Sequence, residues 1–225
     1  MDGEEAWLDD AISSGRLPKS VRDNLAEARN RPRASGPTAT KQGFNEVLAV
    51  DLADGTTISS SSSETITVPD YTFAANDPHV YPGAVFRITQ YWEASFPITT
   101  PGTLIMRLRW GGSAGTLLAN SGTYAPDPTS AQSNRSGFVE YMTVVRSIGV
   151  SGSMFTMGRM FLNDIDDATV TTIQGNLNMS VIPVSAPAVV GSLDTTTTKG
   201  LSSTAQFNLT TQTFINHLRV LECLN

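Results

Sequence analysis

Two periodicities divide the chain. As far as about residue 30 apolar side chains recur at helical spacing, and from residue 64 they recur at every second position. Glu4 to Ile12 sets Trp7, Leu8, Ala11 and Ile12 along one helical stripe, which Ser13-Ser14-Gly15 stops. A second helix is predicted after Pro18, with Leu17, Val21, Leu25 and Ala28 on one face and Arg22 and Arg29 on another. It ends by Asn30-Arg31-Pro32, because proline disfavours helix in the residue before it. Helices this short are marginal alone, so Trp7, Leu8, Leu17, Val21, Arg22 and Leu25 are the candidate contacts to a partner surface. That surface is another chain or, in the plainer alternative, the β-domain of the same chain.

Residues 31 to 42 are rich in Pro, Gly, Ser and Thr and read as a linker, so 1–42 is an N-terminal helical arm and 43–225 a second domain. Phe44 to Leu52 is apolar enough for a first strand or a docking segment, and the serine run from Ser59 to Ser63 reads as turn or linker. Beyond it, alternation predicts strands at Glu64 to Val68, Ala84 to Phe96 and Thr103 to Trp110. The last of these sets Leu104, Met106, Leu108 and Trp110 against Arg107 and Arg109. Gly111 to Gly115 turns it back into Thr116 to Asn120, a hairpin.

After a proline-bearing loop, a long strand opposes Phe138, Glu140, Met142, Val144 and Arg146 to Val139, Tyr141, Thr143, Val145 and Ser147. It turns into Met154 to Leu162, with further strands expected at 177–184, 186–190, 203–210 and 214–224. In the last, Ile215, His217, Arg219, Leu221 and Cys223 are expected to share a face. Eight or nine antiparallel strands with frequent turns describe an all-β fold, an antiparallel β-sandwich of jelly-roll type.

Composition agrees with strands, since only 16% of the 225 residues are charged. The net charge of −6 argues against general nucleic-acid binding, which needs a basic surface to release counterions. Its distribution is uneven: residues 1–10 hold five acids and residues 16–41 seven bases, so the arm is a charge dipole. No apolar run is long enough to span a bilayer, and the acidic N-terminus is unlike a signal peptide. The expected product is soluble, made in the cytoplasm, with the lone Cys223 a buried thiol.

Candidate chemistry is sparse. Gly111-Gly112-Ser113-Ala114-Gly115 matches the pattern of a hydrolase nucleophile elbow, but that elbow needs a helix after the serine, whereas a return strand is expected here. His79, which can meet Asp70 or Asp77, and His217 are the candidate bases, and nothing in sequence pairs either with Ser113. Two histidines and one cysteine make a closed zinc site improbable. Asp164, Asp166 and Asp167 could offer calcium its oxygen ligands but lack EF-hand spacing, and read as solvated turn carboxylates. Tyr81, Phe86, Tyr91, Trp92 and Trp110 could form a sugar-stacking platform, although strand spacing favours core or a subunit interface. Three glycosylation sequons, at Asn134, Asn178 and Asn208, read as accidents of composition. Neither a cofactor nor a metal is expected.

The segments Thr103-Leu-Ile-Met-Arg-Leu-Arg-Trp-Gly-Gly112 and Glu140-Tyr-Met-Thr-Val-Val-Arg-Ser-Ile-Gly149, with the ending Phe214 to Glu222, resemble a recurrent structural β-domain of tailed bacteriophages. The resemblance covers roughly residues 64 to 224. It implies a tumour-necrosis-factor-like jelly roll, commonly a homotrimer, in a non-enzymatic virion protein. The first expectation is a capsid decoration or cement protein whose arm binds the major capsid protein or another virion protein. The second is a fibre or receptor-binding module for host glycan, and a hydrolase using Ser113 comes third.

Overall fold

The computed structural model describes residues 45–59, 61–97, 102–125, 132–164 and 176–224, and of residues 132, 164 and 176–178 the backbone alone. The arm helices expected within residues 1–42 lie outside the described residues.

Among the described residues the chain is all-β. Its strands are β1 (Glu46–Asp51), β2 (Ile58–Ser59), β3 (Thr65–Ile66), β4 (Tyr71–Phe73), β5 (Val85–Phe96), β6 (Leu104–Trp110), β7 (Thr116–Asn120), β8 (Gln132–Ser147), β9 (Gly152–Asp164), β10 (Asn176–Ile182), β11 (Val189–Leu193), β12 (Lys199–Phe207) and β13 (Thr213–Leu224). β3 lies within the strand expected at Glu64 to Val68, whereas β2 and β4 fall in no expected strand, because two or three residues are too few for a period of two to register.

They form two antiparallel sheets. The larger runs β1-β13-β5-β8-β9-β10, with β2 also on β13 and β11 also on β9; the smaller runs β3-β12-β6-β7, with β4 also on β12. One hydrophobic core draws on both. Phe73 of the smaller sheet meets Phe86 of the larger at 5.0 Å between ring centroids, and Phe96 of the larger meets Phe207 of the smaller edge-on at 6.1 Å. Strict alternation makes this possible: β5 turns Phe86, Ile88, Gln90, Trp92, Ala94 and Phe96 inward, and β6 turns in Leu104, Met106, Leu108 and Trp110, as its pattern predicts.

The core is not wholly apolar. Gln90 Nε2 donates to Thr67 Oγ1 at 2.9 Å, Ser203 Oγ donates to Gln90 Oε1, and Thr67 Oγ1 donates to the Ser203 carbonyl at 3.1 Å. This closed set satisfies side chains that would otherwise carry the full cost of desolvation. Because its members sit on β5, on β12 and beside β3, it also ties the two sheets together.

The closing strand corrects one expectation. Pairing of β13 with β5 slips between Asn216 and Leu218, so His217 is the extra residue of a β-bulge and the inward parity changes there. Phe214 and Asn216 point in before it, Arg219, Leu221 and Cys223 after it. Ile215 and His217 therefore do not share the buried face of Leu221 and Cys223, since one inserted residue reverses the alternation.

Candidate functional site

The most unusual surface among the described residues is the outer face of the larger sheet. Register aligns Leu218, Tyr91, Phe138, Phe161 and Met179 in one row across β13, β5, β8, β9 and β10. Rings line up along it: Tyr91 and Phe138 are 6.2 Å apart, and Phe138 stacks on Phe161 at 5.5 Å. Two residues along each strand the row reads Val220, Thr89, Glu140, Arg159 and Val181; the next reads Glu222, Arg87, Met142 and Met157. Tyr91 remains 49% exposed, Met142 41%, Met157 42% and Met179 64%, so these side chains are not spare core. A soluble monomer seldom leaves so contiguous an apolar patch in water.

Charges on this face are matched in place. Arg87 Nε donates to Glu222 Oε2 at 2.7 Å, and Arg159 Nε lies 3.2 Å from Glu140 Oε1. The Arg159 guanidinium also sits 5.9 Å above the Phe138 ring, a cation–π contact within the aromatic row. At the margin, the bulge turns His217 outward, where Nδ1 hydrogen-bonds Asp54 at 2.8 Å and Nε2 lies 3.6 Å from Glu93. The hydrogen bond to Asp54 raises the His217 pKa above its ordinary value, helped by the charges of Asp54 and Glu93 and opposed by partial burial.

The smaller sheet presents a different outer face. Arg107 and Arg109 project from β6 onto Glu64, which also accepts a hydrogen bond from Thr204 of β12. Arg109 further donates from Nη1 to the Gly115 carbonyl at 2.9 Å, so this polar network braces the β6–β7 turn.

The candidates for chemistry are dispersed. Ser113 is exposed at the tip of the β6–β7 hairpin, followed by a strand. The glycines of its motif are demanded by the turn: Gly111 and Gly112 adopt φ of +97° and +88°, and a Cβ on Gly115 would lie 2.2 Å from the Trp110 carbonyl oxygen. His79 meets Asp77, not Asp70: its Nδ1 lies 2.8 Å from Asp77 Oδ1, and its Nε2 reaches Glu46 at 3.2 Å. Phe86, Trp92 and Trp110 are buried, Tyr81 is packed against the core, and only Tyr91 of that set lies on the open face. Cys223 is buried. Among the described residues no group of three His, Cys, Asp or Glu side chains is arranged to hold a metal ion. Asp166 and Asp167 lie outside the described residues, as does the side chain of Asp164. So do all of the arm contacts expected at Trp7, Leu8, Leu17, Val21, Arg22 and Leu25.

Sequence reasoning did not assemble the aromatic row. Its signal was the long strand whose two faces are both apolar, but the register that brings Tyr91, Phe138 and Phe161 together spans three separate segments.

No protein-family model matches the chain, and no curated protein matches its sequence. A solved structure to which it is similar is the CBM2 module of the evolved Dit of Lactobacillus casei BL23 phage J-1, at 12% identity and a TM-score of 0.27 over 67% of this chain. The chain spans 66% of the length of that module's chain. A TM-score of that size assigns neither fold nor function.

Proposed function

We propose that this chain is a non-enzymatic structural protein of a tailed-phage virion, a homotrimeric jelly roll that decorates the capsid and is anchored by its arm. The observation that carries the reading is the strand order. Counting β1 with β2 as the first strand and β3 with β4 as the second, then β5, β6, β7, β8, β12 and β13, the larger sheet reads first-eighth-third-sixth and the smaller second-seventh-fourth-fifth. A sandwich made by folding two Greek keys into a jelly roll would have this order, which supports that reading. β9, β10 and β11 enter between the sixth and seventh strands and widen the larger sheet.

The segments that carry the phage resemblance fall on the β6–β7 hairpin, on the β8–β9 hairpin, which contributes to the apolar face, and on β13. A surface of that kind suits an assembly protein, whereas dispersed serine and histidines give a hydrolase no constellation. The partners are other copies of this chain and, through Trp7, Leu8, Leu17, Val21, Arg22 and Leu25, the major capsid protein or another virion protein. Cement proteins gain strength by bridging several subunits, so a modest contact per arm adds through effective concentration. No cofactor, nucleic acid or membrane enters this reading.

Deletion of residues 1–42 tests it. The truncated chain is expected to keep the β-rich circular dichroism of the full chain and to be missing from purified particles. Wild-type occupancy by the truncated chain overturns the anchoring role of the arm.

A further inference from the structure

The aromatic row invites the question of what covers it. We propose that a second copy of this chain packs on the outer face of the larger sheet, with Tyr91, Phe138 and Phe161 at the centre of the contact. This rests on the assembly reading above and names the surface that builds the trimer.

Charge is the first argument for a copy of the same chain. A chain of net charge −6 repels itself unless its contact surface is locally neutral. On the central strands of the face Glu222 lies beside Arg87 and Glu140 beside Arg159, while at its margin Glu93 shares His217 with Asp54. The centre of such a face meets a like-charged partner with its carboxylates already paired, and these ion pairs border the aromatic row as the polar rim of an interface would.

Extent is the second argument. Most rows of the face are five strands wide, and from Val85 to Glu93 it is nine residues long. At the usual strand spacing and rise this is about 19 Å by ~27 Å, roughly 500 Å² in projection before side-chain relief is counted. A standard interface buries on the order of 800 Å² per partner, so the face is sized for a protein contact and exceeds what a small ligand covers.

The third argument is chemical. Met142 and Met157 are directly paired across β8 and β9, and Met179 ends the aromatic row at β10. Flexible thioethers beside flat rings adapt to an irregular protein surface, and the carboxylates among them are already held by bases of the same face.

The test is the mass of the full-length chain in solution, by light scattering after size exclusion across a range of concentrations. The wild-type chain is expected to be a trimer. Tyr91→Glu and the double change Met142→Glu with Met157→Glu place charge on exposed positions of the face, and each is expected to yield monomer with unchanged circular dichroism and a thermal midpoint that no longer depends on protein concentration. Phe138→Ser serves as a second probe without added charge, and Leu117→Glu, on β7 of the other sheet, is the control that keeps the wild-type mass. Variants that stay trimeric overturn the proposed contact while leaving a trimer built by another surface. A dimer dispersed by the same changes supports the contact and overturns the threefold reading. A wild-type chain that is monomeric at every concentration overturns the inference, and if that monomer still decorates particles the virion role stands without it.

Discussion

Arg109 grips Glu64 with two parallel hydrogen bonds, Nε to Oε1 at 2.6 Å and Nη2 to Oε2 at 2.8 Å, forty-five residues apart in the chain. Bidentate pairing of this kind is the stronger class of ion pair, and Arg107 adds a third bond at 3.2 Å. Burial alone raises the Glu64 carboxyl, but hydrogen bonds from Arg109 and Thr204 and the charges of both guanidiniums outweigh it and hold the pKa below its ordinary value. A lowered carboxylate pKa contributes stability that is present above the unfolded value and lost as pH falls through the folded one. Glu64→Gln is therefore expected to lower the thermal midpoint at neutral pH, with the gap to wild type closing below about pH 4. Thermal unfolding of both proteins across pH checks it; a gap independent of pH contradicts the assigned ion pair.

His217 works in the opposite sense. Its folded pKa is raised, so its stabilising contribution is complete below the ordinary imidazole value and disappears as pH rises through the folded pKa. The His217→Gln variant is expected to trail wild type slightly near pH 6 and to match it by about pH 9. The effect is small because both His217 and Asp54 face solvent and such pairs are screened. NMR titration of the imidazole in wild type and Asp54→Asn is the direct check, with the variant expected to titrate at lower pH.

Gly137 is required by a neighbour. It pairs with Trp92 across β5 and β8, and the indole lies over it so closely that a Cβ would stand 2.4 Å from Trp92 Cη2. The ring is also stacked on Phe214 at 5.2 Å, which limits its retreat. Overpacking a filled core typically costs about 1–3 kcal/mol, so Gly137→Ala is expected to destabilise by that amount in denaturant unfolding. An unchanged midpoint means the indole shifts freely.

Gln90 holds the polar set inside the core. Gln90→Leu keeps roughly the same volume but takes away the acceptor of Ser203 Oγ, while Thr67 Oγ1 keeps its bond to the Ser203 carbonyl, and a buried group left unsatisfied costs on the order of 1–3 kcal/mol. The variant is expected to lose stability by about that range, measured in urea, and partial recovery is expected when Ser203→Ala removes the hydroxyl that lost its acceptor.

Much of the fold is legible in the sequence because its strands are amphipathic. β5, β6 and β8 follow the alternation that their sequences display, and the β6–β7 hairpin follows from its glycines. What alternation cannot carry is parity across a bulge, which is why spacing alone puts His217 on the wrong face of β13. Nor can it carry register between distant segments: Tyr91, Phe138 and Phe161 are each ordinary strand residues, and become a surface only when β5, β8 and β9 align. Glu64 is hidden for a related reason, lying beside a serine run that reads as linker yet bridging two arginines on another strand. The arm contacts at Trp7, Leu8, Leu17, Val21, Arg22 and Leu25 rest on helical spacing alone.

The central claim is that the chain is a decoration protein of a virion, and its stoichiometry in purified particles tests that most directly. Quantitative mass spectrometry of gradient-purified virions is predicted to find it at a copy number on the scale of the major capsid protein's. A fibre-like stoichiometry, a small fraction of that number, contradicts the decoration role, and absence from the particle contradicts the virion assignment altogether.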